Sequence, residues 1–116
     1  MTFGTHLRRR RESCRLQDRR FSLRQVAQRV GVEPAYLSKI ERDEFPPPGE
    51  ETVRKLAREV GEDEDILLAM AGKVSTDLLQ IIRRRPKLFA TLIRSLKELP
   101  DDALLTIVRE VDDGEW

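Results

Sequence analysis

Between Glu33 and Lys39 the sequence EPAYLSK gathers groups that suit hydrogen bonding to the base edges of DNA. Lys39 can donate to guanine O6 and N7, Ser38 can donate or accept, and the Ala35 methyl can pack on a thymine methyl. Glu33 and Pro34 would approach the bases beside them. Tyr36 has two readings: a hydroxyl that reaches a phosphate or a ring that stacks on a sugar, or a half-buried packing residue. Around this stretch stand donors of the kind that hold phosphate oxygens, namely Arg19, Arg20, Ser22, Arg24, Gln25 and Arg42. Catalytic chemistry is poorly served. His6 is the single histidine and Cys14 the single cysteine, with no phosphate loop and no zinc-ligand spacing. No cofactor or metal is expected.

Two short helices must position these groups. Ser22 is a good N-cap, and Leu23, Val26, Ala27 and Val30 follow at i, i+3, i+4 and i+7, the stripe of an amphipathic helix. Gly31 sits where that helix must stop, since glycine takes a left-handed backbone without penalty. Val32 plugs the turn, and Pro34 suits the first turn of a second helix, read as about Glu33 to Asp43, with Leu37 and Ile40 facing inward. Two helices joined by a glycine turn make a helix-turn-helix, whose second helix can lie in a major groove. The alternative is an αα-hairpin that packs against a partner protein.

The run SLRQVAQRVGVEPAYLSKIER, ending on Ile40-Glu41-Arg42, resembles the Cro/cI-type helix-turn-helix regulators, also called the xenobiotic-response-element (XRE) family, over roughly residues 3 to 72. The resemblance implies an all-α fold: a five-helix lambda-repressor-like DNA-binding domain over residues 1–72, followed here by about three further helices over 73–116. It also implies that an arginine of the first helix pairs with Glu41, with Arg11 the first choice and Arg8 the second. Two departures from the family stand out. The connection Arg15 to Phe21 is longer than usual, which puts the register of a first helix read as about Thr5 to Cys14 or a little beyond in question. Asp43 stands where relatives have glycine, so the end of the second motif helix should change, with Pro46-Pro47-Pro48-Gly49 taking over the turn.

Net charge is +1, but its distribution is uneven. Residues 1–43 carry a net +6, residues 44–72 −5, residues 73–99 +5 and residues 100–116 −5. A basic block coinciding with the motif is the footprint of a phosphate-binding face. Within it Arg8 to Arg11 is either a solvated face or a set of phosphate contacts. A lone cysteine fits a reducing cytoplasm. No stretch reaches the roughly eighteen apolar residues of a membrane span, and the arginine-rich amino terminus lacks the apolar core of a secretory signal.

Beyond the motif, a helix over about Glu50 to Val60 carries Val53, Leu56, Ala57 and Val60, and a fifth has Ile66, Leu67, Met70 and Ala71 as its apolar residues. The acidic run Glu62 to Asp65 lacks the ligand spacing of a calcium loop and suits a helix start. The proline run is read as a stiff connector rather than a ligand for a proline-binding domain. Three more helices follow. Leu78, Leu79, Ile81 and Ile82 are expected inside the first. Leu88, Phe89, Leu92, Ile93 and Leu96 line the second, and Leu104, Leu105, Ile107, Val108 and Val111 the third. So many large apolar groups on short helices exceed what one small tail can cover. Leu88, Phe89, Leu92, Ile93, Leu96, Leu104, Leu105 and Val108 are therefore expected at a homodimer interface. Arg83 to Arg85 read as a solvated helix end or an extra DNA-backbone patch, and Trp116 has no assigned role.

The leading expectation is a cytoplasmic, homodimeric transcriptional repressor that binds double-stranded DNA at a palindromic operator. The alternative within the same fold is an antitoxin or stress repressor whose carboxy-terminal helices bind a toxin or a regulatory peptidase.

Overall fold

The computed structural model describes residues 1–116 and is all-helical. The chain divides into two compact units, Met1–Ser75 and Thr76–Trp116. The first contains α1 (Phe3–Gln17), a 3-10 turn (Arg19–Phe21), α2 (Leu23–Val30), α3 (Pro34–Glu41), α4 (Glu50–Val60) and α5 (Glu64–Met70). The second contains α6 (Thr76–Arg84), α7 (Pro86–Leu96) and α8 (Asp101–Asp113).

In the first unit the apolar stripes meet in one core. Leu7 of α1, Val26, Ala27 and Val30 of α2, Leu37 and Ile40 of α3, and Val53, Leu56, Ala57 and Val60 of α4 are buried together. Each stripe recurs every three or four residues, so each helix shows the core one face and water the other. Side chains close the starts of α2 and α5. Ser22 Oγ accepts from the Gln25 amide at 3.3 Å, starting α2. Asp63 caps α5 by accepting from the amides of Asp65 and Ile66. Gly31, with φ 86°, ends α2 in the left-handed conformation and lets α3 leave at once. Arg10 Nη2 donates to the carbonyls of Val60 and Gly61 at 3.1 and 2.6 Å, tying α1 to the free carbonyls at the end of α4.

Several sequence expectations change here. The long connection between the first two helices is absorbed by continuing α1 to Gln17 and by the 3-10 turn at Arg19–Phe21, and α1 also begins earlier, at Phe3. The third helix begins at Pro34 and ends at Glu41, inside the span read from the sequence. Asp43 does not hand the turn to the proline run. It adopts φ 60° itself, as a glycine there would, and aspartate is among the few residues that tolerate this backbone. Its carboxylate then accepts from Thr2 Oγ1 at 2.7 Å and from the Gly4 amide at 3.2 Å, which satisfies the start of α1. That contact needs Gly4, because a Cβ there would run into the Ile40 carbonyl. In the fifth helix Leu67 and Leu68 are buried and Met70 and Ala71 pack partly buried against the core, whereas Ile66 is half exposed. A seven-residue helix is too short for its period to separate those two registers.

The second unit departs further. Leu78, Leu79 and Ile81 are exposed and Ile82 only half-buried, so none of the four sits inside. No residue of α6, α7 or α8 is buried. Trp116 is 94% exposed and donates Nε1–H to the Val111 carbonyl at 3.0 Å, closing the end of α8. No helix is long and apolar enough to cross a membrane.

Candidate nucleic-acid interface

The position of α3 is set from behind. Leu37 and Ile40 anchor it in the core, and Glu41 is also buried. Glu41 accepts two parallel hydrogen bonds from Arg11, Nε to Oε2 at 2.7 Å and Nη2 to Oε1 at 2.9 Å. This fork-to-carboxylate geometry fixes both distance and angle. The third arm of the guanidinium donates to the Phe21 carbonyl at 3.2 Å. Arg11 thereby joins α1, the 3-10 turn and α3. The hydrogen bond to Glu41 raises the Arg11 pKa above its ordinary value against the opposing effect of burial. Arg8, the second choice for this pair, instead bonds Glu12 one turn along α1.

With one side clamped, the other side of α3 is uncovered. Glu33, Ala35 and Lys39 are exposed, and Pro34, Tyr36 and Ser38 are half-buried. Pro34 occupies the first turn, where its missing N–H costs nothing. The six residues assigned to base contact thus lie on one short helix and its N-cap, with Tyr36 packed partly against the core and Glu33, Ala35 and Lys39 open to water.

Of the residues assigned to phosphate, Arg24 lines a groove with Glu33 and Pro34 and Arg42 one with Ser38, whereas Arg20 lines a separate groove with Phe21, Arg29 and Glu59. Arg24 and Arg19 are exposed and lie outside the surface ion pairs. Ser22 and Gln25 hold each other at the start of α2, the hydroxyl lying 3.2 Å from Gln25 Oε1. Arg42 is exposed but donates to the Ser38 carbonyl at 3.3 Å and lies 3.3 Å from Glu44. Arg20 is held by Asp18, with contacts of 2.7 to 3.1 Å. Those bonds, and the one from the Arg20 amide, push the Asp18 carboxyl down to about 2. Arg20 is raised by the same partner. An exposed pair of this kind is weak and exchangeable in water, so a phosphate oxygen can replace Asp18.

Three more residues lie beside the face: Gln28 and Phe45, which were not anticipated, and Arg8, from the arginine run with its two readings of solvated face or phosphate contact. Gln28 lines a groove with Arg24, Val32, Glu33 and Pro34. Its spacing of four from Arg24 places both on one side of α2 and was the available signal. Arg8 lines a second concavity with Leu23, Ser38 and Arg42, above the Arg11–Glu41 pair. Phe45 is 42% exposed and lies against Tyr36 and Lys39. Nothing in its local spacing marked it, because it is brought there by the left-handed turn at Asp43.

A family model described as a helix-turn-helix domain matches residues 2–68, more than half of the chain. The chain belongs to this family, in its Cro/cI-like (XRE) type. No curated protein and no solved structure matches the chain. Helix-turn-helix domains are DNA-binding units that place the second helix of the motif, here α3, in the major groove.

Proposed function

We propose that this chain is a sequence-specific transcriptional regulator of double-stranded DNA, acting as a homodimeric repressor at a palindromic operator. Residues 1–72 bind DNA and residues 73–116 pair two copies. The observation that carries this reading is the two-sided character of α3. Its inner side is locked by Leu37, Ile40 and the Glu41–Arg11 pair, while Ala35, Ser38 and Lys39 stand free of the core. Base edges are read from α3 by Glu33, Pro34, Ala35, Tyr36, Ser38 and Lys39. Phosphates are held by Arg19, Arg20, Ser22, Arg24, Gln25 and Arg42. A single helix-turn-helix spans few base pairs, so two copies on a two-fold axis, reading half-sites about one helical turn apart, supply the selectivity. Repression follows from occupying a promoter against polymerase in the cytoplasm.

A second reading keeps the same DNA-binding unit and gives the carboxy-terminal helices to a toxin or a regulatory peptidase. The exposed and half-buried apolar residues of α6–α8 favour it as much as they favour a second copy. Co-purification from the native host separates the two.

Lys39→Ala and Arg24→Ala have different expected signatures. The lysine variant relaxes base preference at one position in each half-site, by roughly 1–3 kcal/mol of discrimination. The arginine variant weakens all sequences alike and reduces the slope of log affinity against log salt by about one. Binding isotherms on operator and scrambled duplexes at several salt concentrations measure both. Unchanged operator affinity in both variants rejects this docking face.

A further inference from the structure

Phe45 is a large aromatic residue left 42% exposed, outside the core, directly after the helix assigned to base reading. Its placement is built rather than incidental. Asp43 turns the chain with φ 60°, and the amides of Glu44 and Phe45 then bond back to the Lys39 carbonyl at 2.8 and 3.3 Å. The Phe45 ring is thereby brought over the Lys39 side chain, with Nζ 4.9 Å from the ring centroid. The same ring meets Tyr36, centroid to centroid at 5.9 Å and tilted by 47°. A lysine ammonium within about 6 Å of an aromatic face is attracted to it, and a tilted pair of rings at about 4.5–7 Å is favourable. A free lysine has many rotamers, and holding it in one of them before binding removes part of the ordering cost.

We propose that Phe45 is a positioning residue for DNA reading: it sets the conformer from which Lys39 addresses a base, with Tyr36 bracing the ring. This rests on the reading of α3 as the base-contacting helix and adds to it a residue outside that helix. Phe45 acts through Lys39, so its loss shows in selectivity at one position and not in affinity for DNA at large. An aromatic replacement keeps the cation–ring contact, whereas an aliphatic one of similar bulk does not.

The test selects binding sites from a pool of randomised duplexes for the full-length chain and for Lys39→Ala, Phe45→Leu, Phe45→Trp and the Lys39→Ala/Phe45→Leu double variant. Thermal melting accompanies each to show that it is folded. The original chain selects a motif, and Lys39→Ala loses discrimination at one position of each half-site. Phe45→Leu weakens discrimination at that same position by about two- to fivefold, the size of an exposed cation–ring contact, and leaves the other positions intact. Phe45→Trp retains it, and the double variant loses no more than Lys39→Ala alone. A Phe45→Leu protein that selects the original motif unchanged, or loses affinity equally for all sequences, overturns the proposal while leaving DNA reading by α3 in place. Failure of the original chain to select any motif overturns both.

Discussion

Glu41→Ala is expected to lower the stability of the amino-terminal unit by about 3–5 kcal/mol, because it leaves the buried Arg11 guanidinium without its carboxylate. Both partners are buried, with side chains 6% and 3% exposed, so water cannot take the carboxylate's place. For a unit of this size each kcal/mol corresponds to about 4–8 °C, so the melting temperature should fall by more than about 12 °C. The pair itself need not be a large net stabiliser, since desolvating two charges offsets much of their attraction. The double replacement Arg11→Met/Glu41→Leu is therefore expected to recover most of the loss. What it does not restore is the fixed register between α1, the 3-10 turn and α3, so operator affinity should remain reduced. A fall in stability below about 1 kcal/mol for Glu41→Ala, as for a solvent-exposed pair, would contradict this account.

Removing Thr76–Trp116 has the second large expected effect. On the reading in which two copies pair through these helices, the shortened chain sediments as a monomer, and its operator affinity falls by about two to four powers of ten. The loss arises because the second half-site must then be filled by an independent molecule instead of a tethered one. The physical ground is that α6, α7 and α8 bury no side chain, although Leu88, Leu92, Ile93, Leu105 and Val108 are all about half exposed or more. Phe89, Leu96 and Leu104 are half-buried. On that reading the second copy covers these apolar groups, which would otherwise stay in water. A truncated chain that stays dimeric, with unchanged affinity, removes these helices from the pairing role.

What the sequence disclosed is uneven, for identifiable reasons. The motif was legible because several independent signals coincide within twenty residues: the Ser22 cap, the Val26–Ala27–Val30 stripe, Gly31 and Pro34. Each acts locally, so none needs knowledge of distant contacts. The Arg11–Glu41 pair joins residues thirty positions apart and rested on family resemblance alone, since spacing along the chain carries no sign of such a contact. The same limit hid Phe45, whose neighbours are decided by the backbone angle at Asp43. It also hid the bond from Asp43 to the start of α1, which lets an aspartate serve where glycine is usual. In α5 the choice between Ile66 and Leu68 turned on a helix too short to define its own face. For α6–α8 the apolar pattern marked the helices correctly, but amphipathicity states only that a face will be covered, not by what.

On the proposed reading, the free side of α3, with the start of α2 beside it, is the surface that meets a duplex. Amide chemical-shift mapping during titration with a short duplex tests this most directly, because even non-specific binding reports the docking face. Shifts are expected to concentrate at Ser22 to Gln25 and Glu33 to Arg42 and to fade as salt rises, with the core amides of α4 unmoved. Shifts confined to α6–α8, or an unperturbed Ala35–Lys39 at saturating duplex, would contradict it.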